Sequence, residues 1–335
     1  MKKVPGIAQV RVTLKDGLTV LDFEPDNAVT LGPGNTISVR ETPPDYYLVS
    51  FSISEDGRLL AMGWESGRVE VWELQAKKRV AEFPCGVGNP LTMKFNPGGT
   101  QLVVAGPKGK IAFLELPVGR KLREVKIEMG KRKYDIQELV LDRDGKWLAY
   151  ANEDNGKVLD LGSKAPVTLA ALGEAQGIAL SQDGTELWAV DRKVLQRFST
   201  SSWKDAGHWP LKSEPYGSRV VVRTGIDDDG RPIVAVPSKK GLVFYQAPDM
   251  QGRYVTDKGN RGVEFLRGRK IFINLSENLS FLNASGTFIC ERAYEGMEEA
   301  GYEVSQDGQW LAMARSGNVD LWHVEDLLSD CSAGQ

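Results

Sequence analysis

Apolar and polar residues alternate along this chain in short runs, each closed by a polar turn, and almost nowhere at the spacing of a helix. The phrase "VSFSISEDGRLLAMG" shows the unit: an alternating run, an Asp-Gly turn and a second apolar run. Asp-Gly and Asn-Gly pairs accept the positive φ that a tight hairpin needs, so each such turn joins two antiparallel strands. A polar, glycine-containing loop then leads into a third strand, such as "RVEVWEL", "KIAFLEL", "LVFYQA" or "NVDLWHV". Many copies add a weaker fourth strand, such as "KRVAEF" or "KLREVKI". Only "HVEDLLSD", near the C-terminal end, keeps a helical period.

The unit recurs as "LTMKFNPGGTQLVVAG", "QELVLDRDGKWLAYAN", "QGIALSQDGTELWAVD", "VVVRTGIDDDGRPIVAVP", "GVEFLRGRKIFIN" and "YEVSQDGQWLAMAR". The turn glycines are Gly57, Gly99, Gly145, Gly184, Gly230, Gly268 and Gly308, a mean spacing of about 42 residues. That period belongs to four-stranded propeller blades. It exceeds the usual parallel solenoid coil, and a sandwich gives no reason to repeat at this interval. The expected fold is all-β: a seven-bladed β-propeller of four-stranded antiparallel blades, with residues 1–335 as one domain.

The consensus "SxDGxxLAxxxxxGxVxVW" resembles WD40-type repeats, and the resemblance runs from about Tyr46 to Trp322. The chain departs from that pattern in several places. Only "VEVWE" at Trp72 and "VDLWH" at Trp322 keep the strand-ending tryptophan, and no true Trp-Asp pair occurs there. The Gly-His pair expected before the first strand is missing; Gly207-His208 falls inside a fourth strand instead. A histidine-to-aspartate network therefore cannot recur in each blade, and packing and the hairpin turns must hold the blades. The resemblance implies fold strongly and function weakly, because such propellers serve many processes.

The last copy ends with a third strand and no convincing fourth, which leaves an open sheet edge. "NTISVRE" (Asn35 to Glu41) lies directly before the first copy, where a WD40-like chain places the strand that completes its last blade and closes the ring. Residues 1–44 are thus read as an N-terminal extension with a ring-closing strand. The alternative is an extra, eighth blade, because "VRVTLKDGLTVLDF" also fits the template with Gly17 as its turn.

Composition narrows the classes. Hydrophobic content of 41% with 26% charged residues is ordinary for a globular protein. A net charge of −3 and a pI near 5.7 give no whole-molecule attraction to nucleic acid or to an anionic membrane. The N-terminus has no apolar core of a signal peptide, and no run of apolar residues is long enough to span a bilayer. Three cysteines without CxxC spacing predict a reducing compartment and no disulfide framework, so a cytoplasmic location is expected.

The inventory for catalysis is thin. His208 and His323 stand in different repeats with no metal-ligand partner at short spacing, and nucleophile elbows and HExxH are absent. "GPGN" and "GPKGK" lack the strand–loop–helix context of a phosphate loop, and "DRDGKW" and "DDDG" lack the distal glutamate of a calcium loop. Nothing beside Cys85 is placed to activate its thiol. No enzyme activity, no cofactor and no metal are expected.

The loops between second and third strands carry the remaining signal. They hold Arg68, Lys108, Lys110, Lys157, Arg192, Lys193, Lys239, Lys240 and Arg315, with Glu65, Glu153, Asp154, Asp191 and Glu277 among them. The opposite hairpins are rich in aspartate. Trp64, Tyr134 and Tyr216 flank these loops as candidate anchors. The expectation is a non-catalytic scaffold or adaptor subunit that binds proteins with acidic surfaces or peptides through a basic face, with no membrane or nucleic-acid partner. The alternative is an enzyme or small-ligand propeller, with Glu153, Asp154 and Asp191 converging on a central channel.

Overall fold

The structure is a computed structural model of the 335-residue chain. It describes strands 9–13, 21–23, 29–31 and 36–40 by backbone, and most of residues 48–332; residues 130–134, 143, 153, 164–165, 217–219, 258–261, 277, 294–300, 306 and 316–317 lie outside the described set. Two compact units share the chain: Met1–Glu124 with Gly296–Gln335, and Val125–Glu295.

Seven sheets follow one another along the sequence, and each repeats the same meander. In the first, Leu48–Ile53, Leu59–Trp64, Arg68–Glu73 and Lys78–Pro84 pair antiparallel in chain order. Sheets 2 to 6 occupy residues 92–126, 138–173, 177–210, 223–254 and 262–293 in the same order. The fold is a seven-bladed β-propeller of four-stranded antiparallel blades. Sheets 1, 2 and 7 belong to the first unit, and sheets 3 to 6 to the second.

Sheet 7 draws on both ends of the chain. Tyr302–Val304, Trp310–Arg315 and Asn318–His323 supply its first three strands, and Thr36–Arg40 pairs antiparallel with the third, Ile37 opposite Val319. The ring-closing strand predicted at Asn35 to Glu41 is therefore present. Gln9–Thr13 adds a fifth strand against Thr36–Arg40, and Leu21–Phe23 with Val29–Leu31 forms a separate ribbon. The N-terminal segment thus extends the last blade and does not make an eighth one. Val324–Ser332 follows as a helix with Val324 and Leu327 buried, as its period predicted.

The "SxDG" turn explains itself in sheets 1, 4 and 7. The hydroxyls of Ser54, Ser181 and Ser305 donate to the carboxylates of Asp56, Asp183 and Asp307 at 2.6, 2.6 and 2.5 Å. Each serine oxygen also accepts the N–H of the residue opening the second strand. The turn is capped from inside, and glycine takes the positive φ. Sheet 6 departs from expectation: the left-handed residue in its first turn is Lys270, not Gly268.

Apolar faces of successive sheets pack on each other. Trp188, Leu195, Val220, Val234 and Tyr245 form one such core between sheets 4 and 5, and Val69, Phe83, Met93, Leu102 and Leu114 another between sheets 1 and 2. Each side chain so buried contributes about 1.5–3 kcal/mol of apolar transfer. Sheets 1, 3, 4 and 6 share an irregular register between third and fourth strands, a bulge that raises the twist at the outer edge. Cys85 is a buried free thiol, whereas Cys290 is disulfide-bonded, a bond that the reading of no disulfide framework did not anticipate.

Candidate functional site

Charge collects in two kinds of place: the first strands, and the loop ends. In each unit, the first strands of successive sheets abut. Within the second unit, Arg223 on sheet 5 reaches Glu264 on sheet 6 through two bonds, Nε–Oε2 and Nη2–Oε1, both 2.7 Å. Its Nη1 lies 3.3 Å from Oε1 of Glu138 on sheet 3 and donates to the Val222 carbonyl at 2.8 Å. Glu138 and Glu264 are each 4% exposed. One guanidinium therefore holds two buried carboxylates from sheets on either side. Within the first unit, Lys94 on sheet 2 pairs with Glu303 on sheet 7 at 2.7 Å, and the Ser52 hydroxyl of sheet 1 donates to the same carboxylate.

These groups are occupied with each other. Among the described residues, no set of three or more His, Cys, Asp or Glu side chains could hold a metal. Asp191 accepts the N–H groups of Lys193 and Val194, both at 2.6 Å, and so caps its own turn. Glu153 lies outside the described residues. His208 is exposed and pairs with Asp205 at 2.6 Å, while His323 meets Trp310 edge-on at 5.2 Å.

The acid-rich hairpins are likewise spent on structure. Asp183 takes the Ser181 hydroxyl and the Thr185 N–H, which hold its carboxyl below the ordinary aspartate range. Asp227 accepts from Arg231 N–H and from the Gln246 amide, at 2.8 and 2.6 Å.

The basic loop set divides. Arg68, Lys110, Lys157 and Arg315 belong to strands, because the third strands start, and one second strand ends, at the residues taken as loop. Trp64 is 1% exposed, so it packs and does not anchor a peptide. Arg68 lies over the Trp64 ring at 5.1 Å and pairs with buried Glu70 at 2.9 Å. Glu70 also receives Arg79 and the Trp72 indole N–H. Burial pushes the Glu70 carboxyl up, against the two arginines that pull it down. Lys108 is exposed in a left-handed turn, Pro107–Gly109.

In the second unit, the turns keep their cations outside. Arg192 and Lys193 are exposed, as are Lys239 and Lys240. The turn 238–241 is tight: the Ser238 hydroxyl donates to the Gly241 carbonyl at 2.7 Å, and Gly241 has φ 131°. A Cβ there would strike the Thr256 carbonyl, so only glycine fits. The loop after sheet 4 lies along this turn. Pro215 bridges Ser238, the Tyr216 N–H reaches the Pro237 carbonyl at 3.3 Å, and the Lys239 N–H reaches the Glu214 carbonyl at 3.2 Å. Lys239 Nζ meets the Glu214 carboxylate at 2.6 Å, which holds that carboxyl below its ordinary range. Lys212, which the loop-by-loop reading missed, is exposed beside them, its Nζ 5.6 Å from the Tyr254 ring. Loops from fourth strand to next first strand leave the sheet at the same end as second-to-third loops, and that rule would have found it. Tyr216 is 42% exposed; Tyr134 lies outside the described residues.

No protein-family model matches the chain. A 105-residue stretch is 30% identical to U3 small nucleolar RNA-associated protein 12 of Saccharomyces cerevisiae, covering 31% of this chain. The match spans a tenth of that protein's length. Among solved structures, the β-propeller domain of Cps50 (Swd1) from Myceliophteria thermophila superposes with a TM-score of 0.66 at 16% identity, over 86% of this chain and 97% of that one. The meander, its repeat and this likeness together define the fold as a seven-bladed β-propeller.

Proposed function

We propose that this propeller is a non-catalytic interaction module, a scaffold or adaptor that receives an acidic surface or peptide of a partner protein at its basic loop ends. The observation that carries the reading is how the charges are distributed. First-strand charges neutralise one another inside the fold, whereas Lys193, Lys239 and Lys240 project from the loop ends. Complementary charge steers association and fixes partner choice. The yeast relative is named for association with a small nucleolar RNA; the present reading takes up the association and not the RNA. For the small-ligand alternative, no convergent set of free acids is seen among the described residues, where Arg223 already holds Glu138 and Glu264.

Purification of the tagged protein at low and high salt, with partner stoichiometry read by mass spectrometry, tests this. A stoichiometric protein partner should leave at high salt, and charge reversal at Lys108, Lys193 and Lys240 together should weaken its retention. Retention unchanged by the triple reversal would count directly against the basic-loop reading.

A further inference from the structure

We infer that the ledge made by the loop 211–216 and the turn 238–240 is the docking surface for a carboxylate-rich peptide segment of a partner protein. The inference rests on the interaction-module reading above and narrows it to one corner of the second unit.

Preorganisation is the first support. The Pro215–Ser238 bridge, the N–H bonds of Tyr216 and Lys239, and the bond from Lys212 N–H to the Tyr245 hydroxyl at 2.7 Å order the loop without a ligand. A segment docking here does not have to order the backbone that carries the cations, and that ordering is a main cost of binding.

Charge is the second support. Lys212, Lys239 and Lys240 are exposed on the ledge, with Lys193 on the neighbouring turn. The one exposed acid of the loop, Glu214, is held by Lys239. Asp191 is turned onto backbone N–H groups of its own turn. Exposed Asp257 abuts the Gly241 turn and offsets one cation, so four lysines face Glu214, Asp191 and Asp257, and the ledge stays positive on a chain whose net charge is −3.

Tyr216 is the third. It is one of few exposed large apolar side chains among the described residues, and it stands on the ledge. Tyrosine supplies contact area at low entropic cost and is enriched among binding anchors. One aromatic is too few for the stacking array that single-stranded nucleic acid uses. A short acidic segment fits better.

The probe is a fluorescein-labelled peptide of about ten residues, glutamates around a central leucine, followed by anisotropy at low ionic strength and at about 0.15 M salt. Binding should weaken with salt. Lys239→Glu with Lys240→Glu should weaken it about tenfold, and Tyr216→Ala about threefold. Lys108→Glu with Lys157→Glu should change it by less than about twofold. If that second pair weakens binding and the ledge pair does not, the ledge is wrong and the basic-loop reading stands. If neither pair matters, both fail. Equal affinity for a lysine peptide, or tighter binding of an oligothymidine of the same length, would overturn the acidic-peptide assignment.

Discussion

Sheet 1 and sheet 5 both bring a basic residue to the end of their second-to-third loop, and they use it in opposite ways. In sheet 1, Arg68 opens a strand whose next residue on the same face is Glu70, buried at 2% side-chain exposure, and the pair closes at 2.9 Å. In sheet 5, Lys239 and Lys240 precede Gly241, Leu242 and Val243, which offer no acid. The lysines remain in solvent, and Lys239 takes only an exposed partner, Glu214. Position in a loop does not decide whether a cation is available. The side chain two residues further on does.

The contrast can be pressed hardest at the buried end. Arg223→Met would remove the guanidinium that holds buried Glu138 and Glu264, and stability measured by urea unfolding should fall by about 4 kcal/mol. Lys240→Met should move the same midpoint by less than about 0.5 kcal/mol. A loss of similar size at both positions would erase the distinction between structural and available cations.

Glu70→Gln comes next. Arg68 and Arg79 lose their shared carboxylate, but both keep contact with Glu82 and burial already disfavours the ionised Glu70, so the same unfolding measurement should move by less than about 1 kcal/mol. The same substitution sharpens the comparison in binding: the acidic probe peptide should bind the variant within about twofold of the wild type. Tighter binding would mean that Arg68, once released, belongs to the docking surface.

Titration is the finest cut. Burial raises the Glu70 carboxyl above its ordinary value of 4.5. Its protonated form is favoured in the fold, so that contribution to stability is present below 4.5 and is lost as pH rises through the folded value. The Lys239 hydrogen bond lowers Glu214, so its contribution is present above 4.5 and is lost as pH falls through its folded value. Carboxyl carbon-13 shifts should show Glu70 titrating above 4.5 and Glu214 below it.

Much of the architecture was legible because repeats report it. Seven turns at a near-constant interval set the blade count, and "NTISVRE" marked the closing strand by its place before the first copy. Lys270 shows the limit: "RGRK" offered a glycine, but the left-handed position fell one step past the short turn. The site was harder. Trp64 read as surface because its burial depends on packing between sheets, which no local pattern encodes, whereas Glu70 two residues beyond Arg68 was legible and passed over. The first-strand charges were readable and passed over. "LTMKF", "QELVL", "VVVRTG", "GVEFL" and "YEV" each place one charge within an otherwise apolar run, and the signs are mixed. Opposite charges in equivalent strands of a closed repeat are candidates to meet, and Lys94 with Glu303 and Arg223 with Glu264 do so.

The most direct test of the contrast between engaged and available cations is hydrogen exchange of the wild-type protein with and without the acidic probe peptide. Binding at the ledge predicts slowed exchange in residues 211–216 and 238–240, with residues 65–70 of sheet 1 unchanged. Protection at residues 65–70 with none on the ledge would contradict it.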